Sequence, residues 1–175
     1  MLIYGKNVTN EYLKTGKKIN KTYLLDNYEE NSNFPNIERV NKMQMDKLVK
    51  ANTQGIVLDI DYEYSKLEEI TNKENPLIVI LDHLEDPHNL GAIIRTCEAA
   101  GVDGIIIPEN RSVSVNSTVV HTSAGSIFNM KIVKVVNLRQ TITKLKKEGF
   151  WFIGTDMEGT DYKKIDYKGK TCIYV

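Results

Sequence analysis

The sequence lacks several features that would place a protein in a class at once. It has only two cysteines, Cys97 and Cys172, which are too few for a disulfide framework and have no metal-ligand spacing. No run of about 18 or more apolar residues occurs, so we expect no membrane-spanning helix. The N-terminus also lacks the basic-then-apolar pattern of a signal peptide. These absences favour a reduced, cytoplasmic protein.

The charge of the chain is balanced. Lys and Arg total 23, Asp and Glu total 23, and the formal net charge is +0. The composition therefore disfavours a protein held to nucleic acid by charge alone. One local basic patch exists, because Lys14, Lys17, Lys18 and Lys21 fall within eight residues with no acid among them. The patch indicates either an RNA contact or a solvated helix end and turn.

Sites for nucleotides and metals are poorly supported. No Gly-rich phosphate loop is present, which disfavours a generic nucleotide-binding α/β protein. One loop is rich in His, Asp and Glu, namely Asp82, His83, Glu85, Asp86 and His88. Its spacing is neither helical nor zinc-like, and turns are naturally rich in Asp and His. We therefore expect no metal site.

Apolar runs and turn residues divide the chain into two parts. Residues 1–72 indicate a small α/β unit, with a polar, turn-rich loop at 26–36. The polar segment TNKENP ends this part as a linker. Residues 73–175 alternate strands and helices, and strands such as LIVILD at 77–82 are almost continuously apolar. This pattern predicts a parallel sheet covered on both faces, with ligands beyond the carboxyl ends of its strands.

The segment DPHNLGAIIRTCEAAGV is the most informative one. Apolar and small residues recur in it at steps of three and four, which predicts a helix over 89–100. The buried stripe of this helix is formed by Leu90, Ile93, Ile94, Cys97 and Gly101. Cys97 is thus a core residue. Arg95 lies about 140° around the helix from Leu90, away from the centre of the stripe.

Two interpretations of this helix remain open from the residues alone. Asn89 is a candidate N-cap, and the free N–H groups that follow it favour an anion. Arg95 lies about 9 Å along the axis and could point to the same group. Alternatively, Asn89 only caps the helix and Arg95 pairs with Glu98 or Asp86. The geometry permits a site without requiring one.

The same segment closely resembles the first signature motif of the SpoU/TrmH family of RNA ribose 2′-O-methyltransferases. The defining positions are Asn89, Gly91, Arg95, Ala99 and Gly101. HTSAGSIFNMKIVKV is similar to the Ser-Ala-Gly segment of the family. IYGKNVTNEYLKTGKKINKTYLLD resembles a ribosomal-protein-like RNA-binding domain found in members that modify a guanosine of large-subunit rRNA. ANTQGIVLDI matches the end of that domain, although members often have His where this chain has Thr53.

The resemblance implies a fold and an activity. It implies an RNA-binding domain over residues 1–72 and a SPOUT-type methyltransferase domain over 73–175. The implied reaction transfers a methyl group from S-adenosylmethionine to a ribose 2′-hydroxyl of structured RNA. The substrate that the resemblance favours is a guanosine of large-subunit rRNA. Alternatives within the family are tRNA enzymes and enzymes of ribosome-directed antibiotic resistance. Members are dimers, so a homodimer is expected if the family's trefoil knot is present.

The resemblance also implies roles for residues. The family arginine that matches Arg95 is catalytic, and the asparagine that matches Asn89 shapes the site. Because arginine is almost always charged, it suits orienting the hydroxyl and a phosphate better than removing a proton. We leave open whether Arg95 acts as a base or as an electrostatic clamp. RNA contacts are expected at the four lysines named above and at Arg111.

The cofactor loops match only in part. In the family, two later motifs form the knot and much of the S-adenosylmethionine pocket, and this sequence stops at Val175, where the first of them should begin. We therefore expect a truncated or incompletely described chain that binds S-adenosylmethionine poorly or not at all. The loop after FWFIG remains, with Gly154, Thr155 and Asp156 as cofactor-binding candidates; a plain polar turn explains Asp156 equally well.

One alternative comes from another class of protein. A non-catalytic RNA-binding protein could use the same two domains, and it would bind RNA in a salt-sensitive manner without transferring a methyl group. His121 has no sequence-adjacent partner and is predicted to be structural.

Overall fold

The computed structural model of the chain describes residues 1–29 and 33–175. The loop predicted at 26–36 therefore falls in part outside the described residues. The chain separates into two compact units. The first comprises Met1–Glu63, Pro87–Arg95 and Val115–Asn129, and the second comprises Tyr64–Asp86, Thr96–Ser114 and Met130–Val175.

Strands and helices alternate along most of the described chain. The strands are β1 (Leu2–Tyr4), β2 (Ile19–Leu25), β3 (Ile37–Val40), β4 (Ile56–Ile60), β5 (Leu77–Ile80), β6 (Gly104–Pro108), β7 (Ile132–Val135), β8 (Trp151–Gly154) and β9 (Thr171–Tyr174). The helices are α1 (Lys6–Lys14), α2 (Lys42–Leu48), α3 (Glu68–Thr71), α4 (Pro87–Ala99), α5 (Ser117–Thr122) and α6 (Leu138–Lys147), with 3-10 turns at Ser126–Phe128 and Tyr162–Lys164. None of the helices in this described part is long and apolar enough to cross a membrane.

The first unit contains a four-stranded mixed sheet in the order β1-β4-β2-β3. Strand β4 runs antiparallel to β1 and to β2, whereas β3 runs parallel to β2. Its core includes Ile3, Leu24, Ile56, Leu58 and Ile60, which are almost fully buried, and Val57 of β4 is buried as well. Each such side chain stabilises the fold by about 1.5–3 kcal/mol through removal of apolar surface from water.

The second unit contains a five-stranded sheet in the order β7-β6-β5-β9-β8. All four strand pairs are parallel. The α/β class and the parallel sheet predicted from the apolar strands are therefore confirmed. Strand β6 is buried along its whole length, as expected for a strand covered on both faces. The core around the sheet includes Ile78, Ile80, Ile106 and Cys172.

Asparagine side chains fix the start of three helices. Asn41, Asn116 and Asn137 each accept a hydrogen bond from the backbone N–H three residues later, which begins α2, α5 and α6. This contact satisfies an N–H group that has no partner within the helix.

Both cysteine thiols lie in the interior. Burial raises the pKa of the Cys97 thiol to about 11 and that of the Cys172 thiol to about 12. Since the thiolate is the reactive form, both groups are inert at neutral pH. The expectation that Cys97 is a core residue is confirmed by its 7% exposure.

The buried thiols predict a pH dependence of stability. In the unfolded chain the thiols lose their protons near their ordinary pKa of about 8.5, whereas in the fold they keep them. The thiol contribution is thus fully present below that pH, and it is lost as the pH rises through the raised values. Urea unfolding should show a larger alkaline loss of stability in the native sequence than in a Cys97→Ala, Cys172→Ala double variant. Rapid alkylation of either thiol in the folded protein at neutral pH would contradict this account.

Candidate active site

Helix α4 contains both residues predicted to act in catalysis, Asn89 and Arg95. The helix begins at Pro87, so the expected start at Asn89 was wrong. Proline is favoured at the first helical position because its φ already suits the helix and its missing N–H would have no intrahelical partner there. Asn89 thus lies in the first turn rather than at the N-cap, and Asp86, a residue type typical of helix starts, directly precedes the helix.

The two sides of α4 differ as the spacing predicts. Leu90, Ile94 and Cys97 are buried, whereas Asn89 and Arg95 are exposed. Six residues separate the two polar side chains, which corresponds to about 9 Å along the axis and about 120° around it. Both are therefore presented on the half of the helix opposite the core.

The guanidinium of Arg95 makes no structural contact in the described chain. Among the residues that the structure describes, Arg95 forms no ion pair or side-chain hydrogen bond. An exposed guanidinium has five N–H donors in a rigid fork that matches phosphate oxygens. The geometry therefore leaves Arg95 able to bind an anionic ligand.

Gly91 allows α4 to approach α5 closely. A Cβ at this position would lie 2.7 Å from Thr122 Cβ and 3.0 Å from the carbonyl oxygen of Val119. The first turn of α4 is also linked to α5 by a contact of 3.2 Å between His88 Nδ1 and Thr122 Oγ1. Gly91 therefore fixes the position of the helix segment on which Asn89 and Arg95 lie.

Replacing Gly91 should test this packing. Gly91→Ala adds a methyl group where no space exists, and overpacking typically costs about 1–3 kcal/mol. That cost exceeds the gain of up to about 1 kcal/mol from the better helix propensity of alanine. We expect a lower free energy of unfolding by urea denaturation, whereas Gly154→Ala, which meets no atom within 4 Å, should change it little. Equal stability of the two variants would show that the close approach is unimportant.

The second unit contains a cavity of about 690 Å³ at the carboxyl end of β8. All three cofactor-binding candidates line it, namely Gly154, Thr155 and Asp156. Thr155 is held in place because its backbone N–H donates to the carbonyl oxygen of Tyr174 at 3.0 Å. The structure thus brings the three predicted residues together in one cavity wall.

The same cavity has walls that the sequence did not reveal. They are formed by Ile153, Gly159, Thr160, Asp161, Tyr162, Ile165, Tyr167 and Ile173. Most of these residues lie in the segment between β8 and β9, which has no periodic pattern. No signal in the sequence pointed to Tyr162 and Tyr167 in particular.

A polar cluster marks the place where the order of the second sheet reverses. The chain runs from β5 towards β6 and β7, whereas β9 pairs with the other side of β5. There Tyr174 donates its hydroxyl hydrogen to Asp82 Oδ2 at 2.5 Å, and His83 Nδ1 lies 2.7 Å from Asp82 Oδ1. The hydrogen bond to Asp82 raises the pKa of Tyr174, with burial as a second cause. Such reversal points are where ligands bind in open α/β sheets.

The His- and Asp-rich loop offers no metal site in the described part of the chain. No group of three or more His, Cys, Asp or Glu side chains there is placed to hold a metal ion. Asp82 and His83 instead belong to the polar cluster with Tyr174.

Two of the predicted RNA-binding lysines are ion-paired. Lys14 Nζ lies 2.6 Å from Glu11 Oε1, and Lys21 Nζ lies 2.5 Å from Glu38 Oε2. The sequence has no acid among these lysines, but the fold brings Glu11 to Lys14 and Glu38 to Lys21. An RNA phosphate would have to compete with these carboxylates.

The other basic candidates are exposed. Lys17 and Lys18 line a cleft of about 270 Å³ that also contains Asp61 and Glu63. Arg111 is exposed in the loop after β6, with a φ of 55°. Nothing in these contacts decides whether the five basic residues bind RNA, and that role stays a prediction.

Two family models match the chain. Residues 76–175 match the SpoU rRNA Methylase family, and residues 2–65 match the RNA 2′-O ribose methyltransferase substrate-binding domain. A protein of Staphylococcus saprophyticus assigned to the TrmH family of tRNA/rRNA methyltransferases is 37% identical, over 95% of this chain and 74% of its own length. The corresponding protein YacO of Bacillus subtilis is 34% identical, over 94% and 73%.

The chain belongs to the SpoU/TrmH family of RNA methyltransferases. Solved structures agree with this membership. An AdoMet-bound rRNA methyltransferase from Sinorhizobium meliloti has a TM-score of 0.82 at 27% identity, covering 99% of this chain and 69% of its own. The SpoU methyltransferase AviRb from Streptomyces viridochromogenes, in complex with AdoMet, has a TM-score of 0.85 over 100% of this chain and 72% of its own; at 20% identity it supports the fold alone.

Proposed function

We propose that this SpoU/TrmH-family protein transfers a methyl group from S-adenosylmethionine to a ribose 2′-hydroxyl of structured RNA. One observation supports this most strongly. Most of the signature segment lies on α4 (Pro87–Ala99), inside the part that matches the SpoU rRNA Methylase family, and Arg95 is exposed and free of structural partners in the described chain. A non-catalytic RNA-binding protein could use the same arginine for a phosphate contact, so a measurement of methyl transfer separates the two functions.

Arg95 is the proposed catalytic residue. A ribose 2′-hydroxyl is a weak acid that must lose its proton, to a base or to water, as the O–CH₃ bond forms and the methyl–sulfur bond breaks. The oxygen must therefore be oriented and its developing negative charge stabilised. The Arg95 guanidinium can donate to that oxygen and to the adjacent phosphate. Asn89, in the first turn of the same helix, can add a donor and an acceptor that shape the site.

The cavity after β8 fits S-adenosylmethionine. When bound, this cofactor supplies an electrophilic methyl group on a sulfonium ion. Its cationic centre suits the carboxylates of Asp156 and Asp161, and an adenine ring suits walls formed by Tyr162 and Tyr167. Both carboxylates are fixed by backbone N–H donors, from Glu158 to Asp156 and from Lys163 to Asp161. The volume is also within the range of about 300–1,000 Å³ that is usual for ligand sites.

We propose rRNA as the substrate, in particular a guanosine of the large subunit. The match of residues 2–65 to a substrate-binding domain supports a structured RNA. The relatives are described as tRNA/rRNA methyltransferases, so tRNA is the second candidate. Three further points stay predictions: a domain boundary near residue 73, a cytoplasmic location and a homodimer. The boundary would fall between the end of the first family match at residue 65 and the start of the second at residue 76.

Loss of Arg95 should abolish methyl transfer. Arg95→Ala removes the donors at the reacting oxygen, and loss of one such group typically lowers the rate by about 10²–10³-fold. Transfer of a radioactive methyl group to rRNA measures the rate. Thermal stability should change little, because the side chain is exposed and makes no structural contact in the described chain. Loss of one phosphate contact should weaken RNA binding far less than it slows methyl transfer.

Arg139 provides a matched control for this experiment. It is an exposed arginine on α6 with the same charge, so Arg139→Ala should leave methyl transfer unchanged. Wild-type turnover by Arg95→Ala would remove this residue from the mechanism. Equal losses in both variants would indicate a general effect of charge.

S-adenosylmethionine should perturb the cavity after β8. We expect backbone amide NMR signals of residues 153–173 to shift on titration, a readout that detects even weak binding. Gly154→Val should remove the shifts, because a side chain at this position extends into open space of the cavity. Glu158→Val, in the same segment but outside the lining, is the control. Shifts that occur elsewhere, or none at all, would exclude this cavity as the cofactor site.

A further inference from the structure

The first unit contains a cavity of about 330 Å³ that has no role in the proposed methyl transfer. It is lined by Tyr4, Gly5, Asn7, Val8, Ala51, Asn52, Gln54, His121 and Ala124. None of these nine described residues is acidic, two have aromatic rings and three have carboxamides. This is the composition with which proteins recognise unstacked RNA bases, by stacking on rings and by hydrogen bonds to base edges.

The aromatic wall is already a stack. The rings of Tyr4 and His121 lie with their centroids 5.0 Å apart and their planes at 21°. Tyr4 is half-buried and covers one face of the imidazole, whereas His121 as a whole is exposed. Because His121 is exposed and lines the cavity, we take the face of its ring away from Tyr4 as the position of a third ring. His121 thus has a contact that the sequence did not show.

Two carboxamides present fixed donors. Gln54 Oε1 accepts from the backbone N–H of Lys6 at 2.7 Å, and Asn52 Oδ1 accepts from the backbone N–H of Gln54 at 3.1 Å. Because each partner is a backbone donor, each oxygen must face it. The NH₂ groups of Gln54 and Asn52 are then the atoms left for a ligand.

A third carboxamide is uncommitted. Within the part of the chain that the structure describes, the Asn7 side chain forms no hydrogen bond. It can therefore turn either its oxygen or its NH₂ group towards a base, so the two fixed donors decide the preference.

The loop that holds the fixed donors packs closely against Tyr28 at Gly55. Gln54 and Gly55 both have positive φ, of 53° and 85°, and a Cβ at Gly55 would lie 2.8 Å from Tyr28 Cδ2. The hydrogen bonds from backbone N–H groups hold the two carboxamides in place, which reduces the entropy lost when a ligand binds.

We propose that this cavity binds one unstacked base of the RNA substrate and prefers a base with a carbonyl oxygen, such as uracil or guanine, over adenine. Fixed NH₂ donors match the O4 and O2 oxygens of uracil and the O6 and N7 acceptors of guanine. The N6 amino group of adenine would face these donors with a donor of its own. The inference rests on the proposed function only in taking RNA as the substrate.

The test measures the binding of single-stranded RNA by the whole 175-residue chain. Fluorescently labelled oligouridine and oligoadenosine of equal length are titrated, and anisotropy gives each dissociation constant. We expect oligouridine to bind at least about fivefold more tightly, the lower end of the discrimination given by a pair of base contacts.

Three variants assign the preference to the cavity. His121→Ala should weaken oligouridine binding about tenfold through loss of a stacked base, and His121→Phe should restore it. Asn52→Asp keeps the oxygen that accepts from Gln54 but removes the NH₂ donor, so the preference for uridine should disappear. Asn41→Asp is the matched control, because it adds the same charge and keeps the same kind of backbone contact, to Gln44, outside the cavity.

The results separate this proposal from the proposed function. A uridine preference that is lost in Asn52→Asp and kept in Asn41→Asp supports the base pocket. Equal binding of both oligonucleotides, or equal losses in the two aspartate variants, overturns it. If His121→Ala lowers only the melting temperature, the stack is structural and the proposal also fails. Methyl transfer to rRNA that persists without any base preference leaves the enzymatic function intact and removes only the pocket.

Discussion

The parallel pairing of β5 on both of its edges is the constraint on which the second unit depends. Its neighbours are β6 and β9, with registers in which Ile80 pairs with Ile106 and with Tyr174. Ile78 and Ile80 are fully buried, so a shift of the register by one residue would turn these side chains to the opposite face. The end of β5 leads directly into Asp82 and then into α4. The pairing thus sets where the polar cluster of Asp82, His83 and Tyr174 forms.

Much of this fold was readable from the sequence, because buried parallel strands are short apolar runs separated by amphipathic helices. LIVILD and GIIIP predicted β5 and β6 closely, and the buried stripe of α4 was correct at Leu90, Ile94 and Cys97. The start of α4 was misassigned because Asn89 and Asp86 are both capping residues, and the preference of proline for the first helical position decides between them.

The candidate site was only partly predictable, because some of its contacts join residues that are far apart in the sequence. Arg95 and Asn89 could be named because the signature is local. The bond from Tyr174 to Asp82 joins residues 92 positions apart and depends on which strand lies beside β5. The ion pair of Lys21 with Glu38 also depends on strand pairing, because β3 brings Glu38 next to β2. Such contacts follow from strand order, which local patterns do not determine.

The contact between Gln54 and α1 has a consequence for the order of folding. Gly5 precedes the helix and provides no side-chain cap, so the first N–H of α1 is satisfied by a side chain 48 residues later. A local cap can form in an unfolded chain, but this one requires closure of a long loop first. Helix α1 should therefore be weakly populated until β4 has joined the sheet, and amide exchange at its first turn should report on the sheet rather than on the helix.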